Sequence, residues 1–115
     1  MLYREVKLGK IAITQPMHAW VSGQLARAWG NDRFGDVVPF EEVCLGAEQH
    51  DVGHTPWELA PTLNHETGLP YSFFEMPRQL HVQLWSQAAR RVLPQGRYAA
   101  ILVWAPRHST LPALR

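Results

Sequence analysis

The chain is short of cysteine, of net charge and of long apolar runs. Among its 115 residues Cys44 is the single cysteine, which excludes an intrachain disulfide framework and a cysteine-rich zinc site. Eleven Lys and Arg face ten Asp and Glu, a net charge of +1 with histidine neutral. No basic excess is present to recruit nucleic acid or an anionic membrane. The longest apolar run, Tyr98 to Pro106, is far below the ~20 residues of a membrane span. Arg4, Glu5 and Lys7 are followed by no apolar h-region of a signal peptide. There is no internal repeat and no low-complexity tract. A soluble cytoplasmic domain, without nucleic acid or membrane as partner, is the expectation.

What is present is aromatic mass and histidine. Five Trp, four Phe and three Tyr supply enough apolar surface to offset the chain entropy of one compact domain. A chain of this length builds one core rather than two. Six histidines in so short a chain raise a chemical question.

The residue order predicts a mainly α fold: a small bundle of three or four helices preceded by a short β-hairpin. Leu2 to Val6 and Ile11 to Thr14 are β-prone runs around Leu8-Gly9-Lys10. Pro16 opens a helix that runs from Met17 to about Trp29, where Gly30-Asn31-Asp32 stops it. Its inward face is read as His18, Ser22, Leu25 and Trp29, widened by Val21 and Ala28. Pro39 starts a second helix with Glu41 and Glu42 in its first turn. Phe40, Val43, Cys44, Ala47, His50 and Asp51 share its buried face, and Gly53 ends it. From His54 to Pro77 five prolines and glycines make helix improbable, and Trp57, Tyr71, Phe73 and Phe74 are expected to pack over the domain. A third helix spans Arg78 to Val92, with His81, Leu84, Trp85, Ala88 and Val92 inward. Arg97 to Ala105 is a helical or strand-like run with Tyr98, Ile101, Leu102 and Ala105 at helical spacing. Residues 1 to 105 form the single domain, and 106 to 115 read as a loose tail.

The phase of the first two helices brings one histidine, His18, toward a His-Asp doublet, His50-Asp51. Two imidazoles and a carboxylate offer N, N and O ligands to a divalent metal. Zn, Fe, Mn or Ni suits that set, and Mg or Mn suits carboxylate with water. An unpaired Asp on an apolar face is costly and calls for a cation or several donors. The other reading is that Asp51 caps a helix or pairs with Arg27, Arg78 or Arg90, while His18 and His50 are hydrogen-bonded core histidines. His81, inward on the third helix, is a candidate fourth ligand. His54, four residues beyond His50, is a candidate ligand or a partner of one. Glu58 reads as a general acid or base near the site, or as an exposed or capping residue. Cys44 reads as packing rather than as a nucleophile.

The run Ala47-Glu48-Gln49-His50-Asp51-Val52-Gly53 resembles the A-x-x-H-D-[I/V]-G signature of HD-domain metal phosphohydrolases, with His18 as the expected upstream histidine. Over residues 1 to 103 the chain also resembles an uncharacterised bacterial family that carries a domain-of-unknown-function label. Ile13-Thr14-Gln15-Pro16-x-His18, Ser22-Gly23-Gln24-Leu25-Ala26 and Pro61-Thr62-Leu63-Asn64-x-Glu66-Thr67-Gly68 carry that likeness. The resemblance implies an HD-like helical fold and metal-dependent hydrolysis of a phosphoester such as a nucleotide. His18, His50 and Asp51 would then hold the metal, with Asp51 taking part in catalysis. Two departures stand out. His54 replaces a usual aromatic, and the chain looks short at its C-terminus, where relatives continue into a His-containing helical region. An HD-type site takes a further ligand from a later helix, for which His108 is a poorer match than His81. The alternative function is a non-catalytic, degenerate HD-like scaffold that binds a protein partner or self-associates as a homodimer to cover apolar surface.

Overall fold

A computed structural model describes residues 1–105; the expected tail and His108 lie outside the described residues. Two strands, β1 (Leu2–Val6) and β2 (Gly9–Ile13), pair antiparallel about a Lys7-Leu8 turn, with Leu2 opposite Ile13 and Val6 opposite Gly9. A lone hairpin is marginal in water, and this one is tied to the segment that precedes the fourth helix. Tyr3 Oη donates to the Pro70 carbonyl at 2.8 Å, and the Phe73 N–H donates to the Met1 carbonyl at 2.6 Å.

The first helix, α1 (Gln15–Arg27), starts where Thr14 Oγ1 accepts from the Met17 N–H at 3.2 Å and Pro16 occupies the first turn. That cap satisfies one of the free N–H groups at the helix start. The inward face differs from the one read off the sequence. Gln15, Ala19 and Gly23 are buried, whereas Leu25 and Trp29 are 66% and 58% exposed. The cause is close packing against α2 (Phe40–Gln49). A Cβ on Gly23 would stand 2.6 Å from Glu48 Cβ, so only the small-residue face of α1 fits there. On α2 itself Cys44 and Gly46 are buried.

The second helix also ends earlier than expected. His50 is its C-cap, and the chain passes through Asp51 into a one-turn 3-10 helix (Val52–His54) and a short helix, α3 (Thr55–Leu59). Pro56 does not break α3, because it stands in the first turn, where its missing N–H would have had no helical partner. Part of the stretch expected to be non-helical is therefore helix. Beyond it the chain is irregular apart from a Leu63–Pro70 bridge. Trp57 is buried, while Phe74 is 85% exposed and does not pack over the domain.

The longest helix, α4 (Arg78–Val92), matches its expected span, with Leu84, Ala88 and Val92 buried. The run after it is a helix, α5 (Arg97–Trp104), and its inward residues are Ala99, Ala100 and Val103. Tyr98 and Ile101, marked in the sequence only by their helical spacing, are 44% and 60% exposed. Small residues again face the contact, here with α2 and α4. The core has two parts. One gathers Ala88, Val92, Ala99, Ala100 and Val103, with Leu45 and Val52 against them. The other holds Trp57, Met76 and Leu84, with Met1, Tyr71 and Leu80 alongside.

The 3-10 turn is pressed onto α4. A Cβ on Gly53 would run into the Leu84 carbonyl oxygen, and backbone in mid-helix cannot move aside as a side-chain tip can. Gly53→Ala is therefore expected to destabilise the fold by about 1–3 kcal/mol, measured as a lower midpoint in chemical denaturation.

Candidate metal centre

Three side chains converge where α1, the end of α2 and the 3-10 turn meet. His18 lies in the first turns of α1 and His50 caps α2. Asp51 begins the 3-10 turn, its side chain 8% exposed. One ligand atom from each of the three lies within 4.8 Å of the others. The rings of His18 and His50 meet edge to face, with centroids 5.4 Å apart at 80°.

Local geometry settles which nitrogen of His50 is available. Its Nδ1 is 2.7 Å from the Ala47 carbonyl oxygen. A carbonyl only accepts, so Nδ1 carries the hydrogen. Nε2 then faces Asp51 Oδ2 at 3.2 Å. Two bare lone pairs at that distance repel; a proton or a cation between them removes the conflict. Adjacent ligand atoms about 2.1 Å from an ion stand roughly 3.0–3.4 Å apart in octahedral or tetrahedral coordination. The His50–Asp51 separation falls within that range, and with His18 completing an N, N, O set inside 4.8 Å the group could hold a divalent metal.

The arginine alternatives for Asp51 do not occur among the described ion pairs. Arg27 engages Glu41 and Glu48 at 3.1 and 3.4 Å, and the charged partners of Asp51 are His50 and, at 3.8 Å, His54 Nδ1. The other site candidates stand outside the group of three. His54 is fully buried behind Asp51 and, among the described residues, has no hydrogen bond from either ring nitrogen. His81 lies beyond His54, ring centroids 6.0 Å apart, and its Nε2 donates to the Phe73 carbonyl at 2.8 Å. Glu58 is a capping residue. Its carboxylate accepts the Gln15 N–H at 2.9 and 3.2 Å, at the start of α1, and lies 3.5 Å from the terminal amine. Sequence reasoning missed Gln15, 2% exposed, and the Ala47 carbonyl. Neither carries a signal, since one acts through its backbone N–H and the other through its backbone oxygen. A groove of about 260 Å³ between the hairpin and residues 67–75 includes none of these residues.

The charges follow the contacts. The hydrogen bond to Asp51 raises the pKa of His50, against burial. Burial pushes Asp51 up, but the bond from His50 and the fields of His50, His54 and His18 outweigh it, and the carboxyl ends below its ordinary range. Burial pushes His54 down, with Asp51 opposing. Burial also raises Glu58, against the Gln15 N–H and the terminal amine.

The fold and the site define a small, mainly helical protein with a partly exposed His-His-Asp cluster built around a buried Asp51. The chain belongs to the family described as "Protein of unknown function (DUF3891)", whose model matches residues 1–110. No curated protein and no solved structure matches it.

In metal-free protein the raised pKa of His50 makes the His50–Asp51 contact stabilising below the unfolded histidine value, about 6.5, and that contribution is lost as pH rises through the folded value. The depressed pKa of Asp51 sets the other side: its contribution is present above about 3.9 and is lost as pH falls through the lower folded value. In an NMR titration under chelator, His50 of the wild type is expected to titrate above an ordinary histidine and to move back down in Asp51→Asn.

Proposed function

We propose that His18, His50 and Asp51 hold a divalent metal ion, and that the protein is an HD-like metal-dependent phosphohydrolase acting on a small phosphoester such as a nucleotide. The observation that carries this reading is the convergence of the three ligand atoms within 4.8 Å, together with a His50 ring whose Nδ1–H is held by Ala47 and whose Nε2 is turned to the Asp51 carboxylate. Fixing the tautomer through the far nitrogen is how metal-binding histidines are oriented. The resemblance of residues 47–53 to the HD signature supplies the reaction class.

Bound there, a divalent ion lowers the pKa of a water and polarises a phosphoryl oxygen. The chain's own groups do the rest. Asp51, ionised at neutral pH, contributes the negative charge that retains the ion. His50 contributes a neutral nitrogen whose direction the Ala47 carbonyl sets. His18, on the outer side of the cluster, leaves the solvent face open to a phosphate group. Three protein ligands leave positions for water and substrate, as hydrolytic metal sites require. Glu58 caps α1 through the Gln15 N–H and is not one of the three converging ligands.

Elemental analysis of protein purified without added chelator tests the reading. Metal is expected in the wild type and not in a His50→Ala, Asp51→Ala double variant, and phosphoesterase activity on p-nitrophenyl phosphate or nucleoside phosphates is expected to follow the metal. Equal metal in both proteins ends the proposal.

A second reading, a scaffold that self-associates, draws on the outer face of α1. Met17, Val21 and Leu25, four residues apart, are 54%, 45% and 66% exposed, an apolar stripe of the kind that marks an interaction surface. Light scattering distinguishes the readings: a dimer dissociated by Leu25→Glu supports self-association, and a monomer at high concentration removes it.

A further inference from the structure

Behind the cluster stands a histidine with no conventional reason to be there. His54 is 0% exposed. Its neighbours are the rings of Phe73, His81 and Trp85, with centroids 6.2, 6.0 and 6.3 Å away. Among the described residues neither of its nitrogens has a hydrogen-bond partner. As filling for an apolar pocket an imidazole is a poor choice, because buried nitrogens without partners destabilise and an aliphatic side chain would fill the space without that cost.

Two polar groups lie near it: the His81 ring, whose Nδ1 is likewise buried without a partner among the described residues, and the Asp51 carboxylate, the one of the two that carries charge to steady. His54 Nδ1 stands 3.8 Å from Asp51 Oδ1, on the side of the carboxylate away from His50. The placement is built into the backbone. The His54 N–H donates to the Asp51 carbonyl at 2.9 Å, so the two residues are the ends of a single turn. The close approach of Leu84 at Gly53 holds that turn against α4.

We propose that His54 is a positioning residue for the metal centre: its Nδ1–H steadies Oδ1 of Asp51, so that Oδ2 is the oxygen offered, with His50 Nε2, to the ion. This rests on the metal reading above. The carboxylate only accepts, so the neutral ring carries its hydrogen on Nδ1, and Nε2 is the bare nitrogen. At 3.8 Å the contact is longer than a formed hydrogen bond, and a small rotation of the carboxylate on loading closes it. His54 does not itself bind the ion; it acts through Asp51 and limits that carboxylate to one ligating oxygen.

Asparagine and glutamine separate this role from space filling. The Asn amide places an N–H where Nδ1 stands, and the Gln amide places it where Nε2 stands. Zinc affinity is measured by competition with a chromophoric chelator in the wild type, His54→Asn, His54→Gln and His50→Ala, with melting curves for each. His54→Gln is expected to bind zinc about 10–100-fold more weakly, as for other partners of metal ligands, and His54→Asn is expected to stay close to wild type. Wild-type affinity in both His54 variants, or equal loss in both, overturns the role of His54 while leaving the centre intact. Zinc binding unchanged by His50→Ala overturns the centre and this inference with it. A measurement on the wild type needs no variant to fold: side-chain nitrogen NMR is expected to find His54 protonated at Nδ1, and a hydrogen on Nε2 instead overturns the proposal.

Discussion

The structure turns on one carboxylate taken out of water. Asp51 is nearly buried, and a desolvated carboxylate persists as an anion only where cations or donors face it. Here the facing groups are imidazoles, His50 on one oxygen and His54 toward the other, with His18 close by. An imidazole can give up a proton and present a lone pair instead, which an arginine fork could not do. The chemistry of the site follows from which cationic group the fold brings to Asp51.

Bringing those groups together depends on backbone approaching backbone. The α1 and α2 helices meet where Gly23 lies on Glu48, and the 3-10 turn meets α4 where Gly53 lies under Leu84. Each glycine removes a Cβ that would hold two elements apart, and each lies beside a segment that carries a site residue. Glu58 adds a polar tie, since its carboxylate holds the first N–H of α1 and so sets the end of the helix on which His18 sits. The packing that closes the core and the packing that assembles the cluster are the same contacts, which is why a side-chain change at Gly53 reaches both.

Legibility varied by element for a physical reason. The face of α4 could be read because Leu84, Ala88 and Val92 are apolar at helical spacing and are the residues it buries. The faces of α1 and α5 could not. Ala19 with Gly23, and Ala99 with Ala100, weigh little on any scale of apolarity, yet a tight helix crossing selects small residues and turns Leu25, Trp29 and Ile101 outward. The end of α2 was misplaced because His50 and Asp51 fit its periodicity, although they belong to the turn that follows. That error left the site intact, since cap and turn still deliver both side chains to His18.

The residues themselves determined the mainly helical class, the hairpin, the span of α4 and the identity of the three convergent groups, because caps, prolines and the His-Asp doublet act over a few neighbouring positions. Tertiary structure alone decided that His54 backs Asp51, that His81 binds a backbone carbonyl instead of joining the cluster, and that Glu58 caps α1. The Glu58 contact joins segments 43 positions apart. His54 and His81 are nearer their partners in sequence, but the packing of Phe73, His81 and Trp85 around His54 decides their burial, and no local pattern of side chains encodes it.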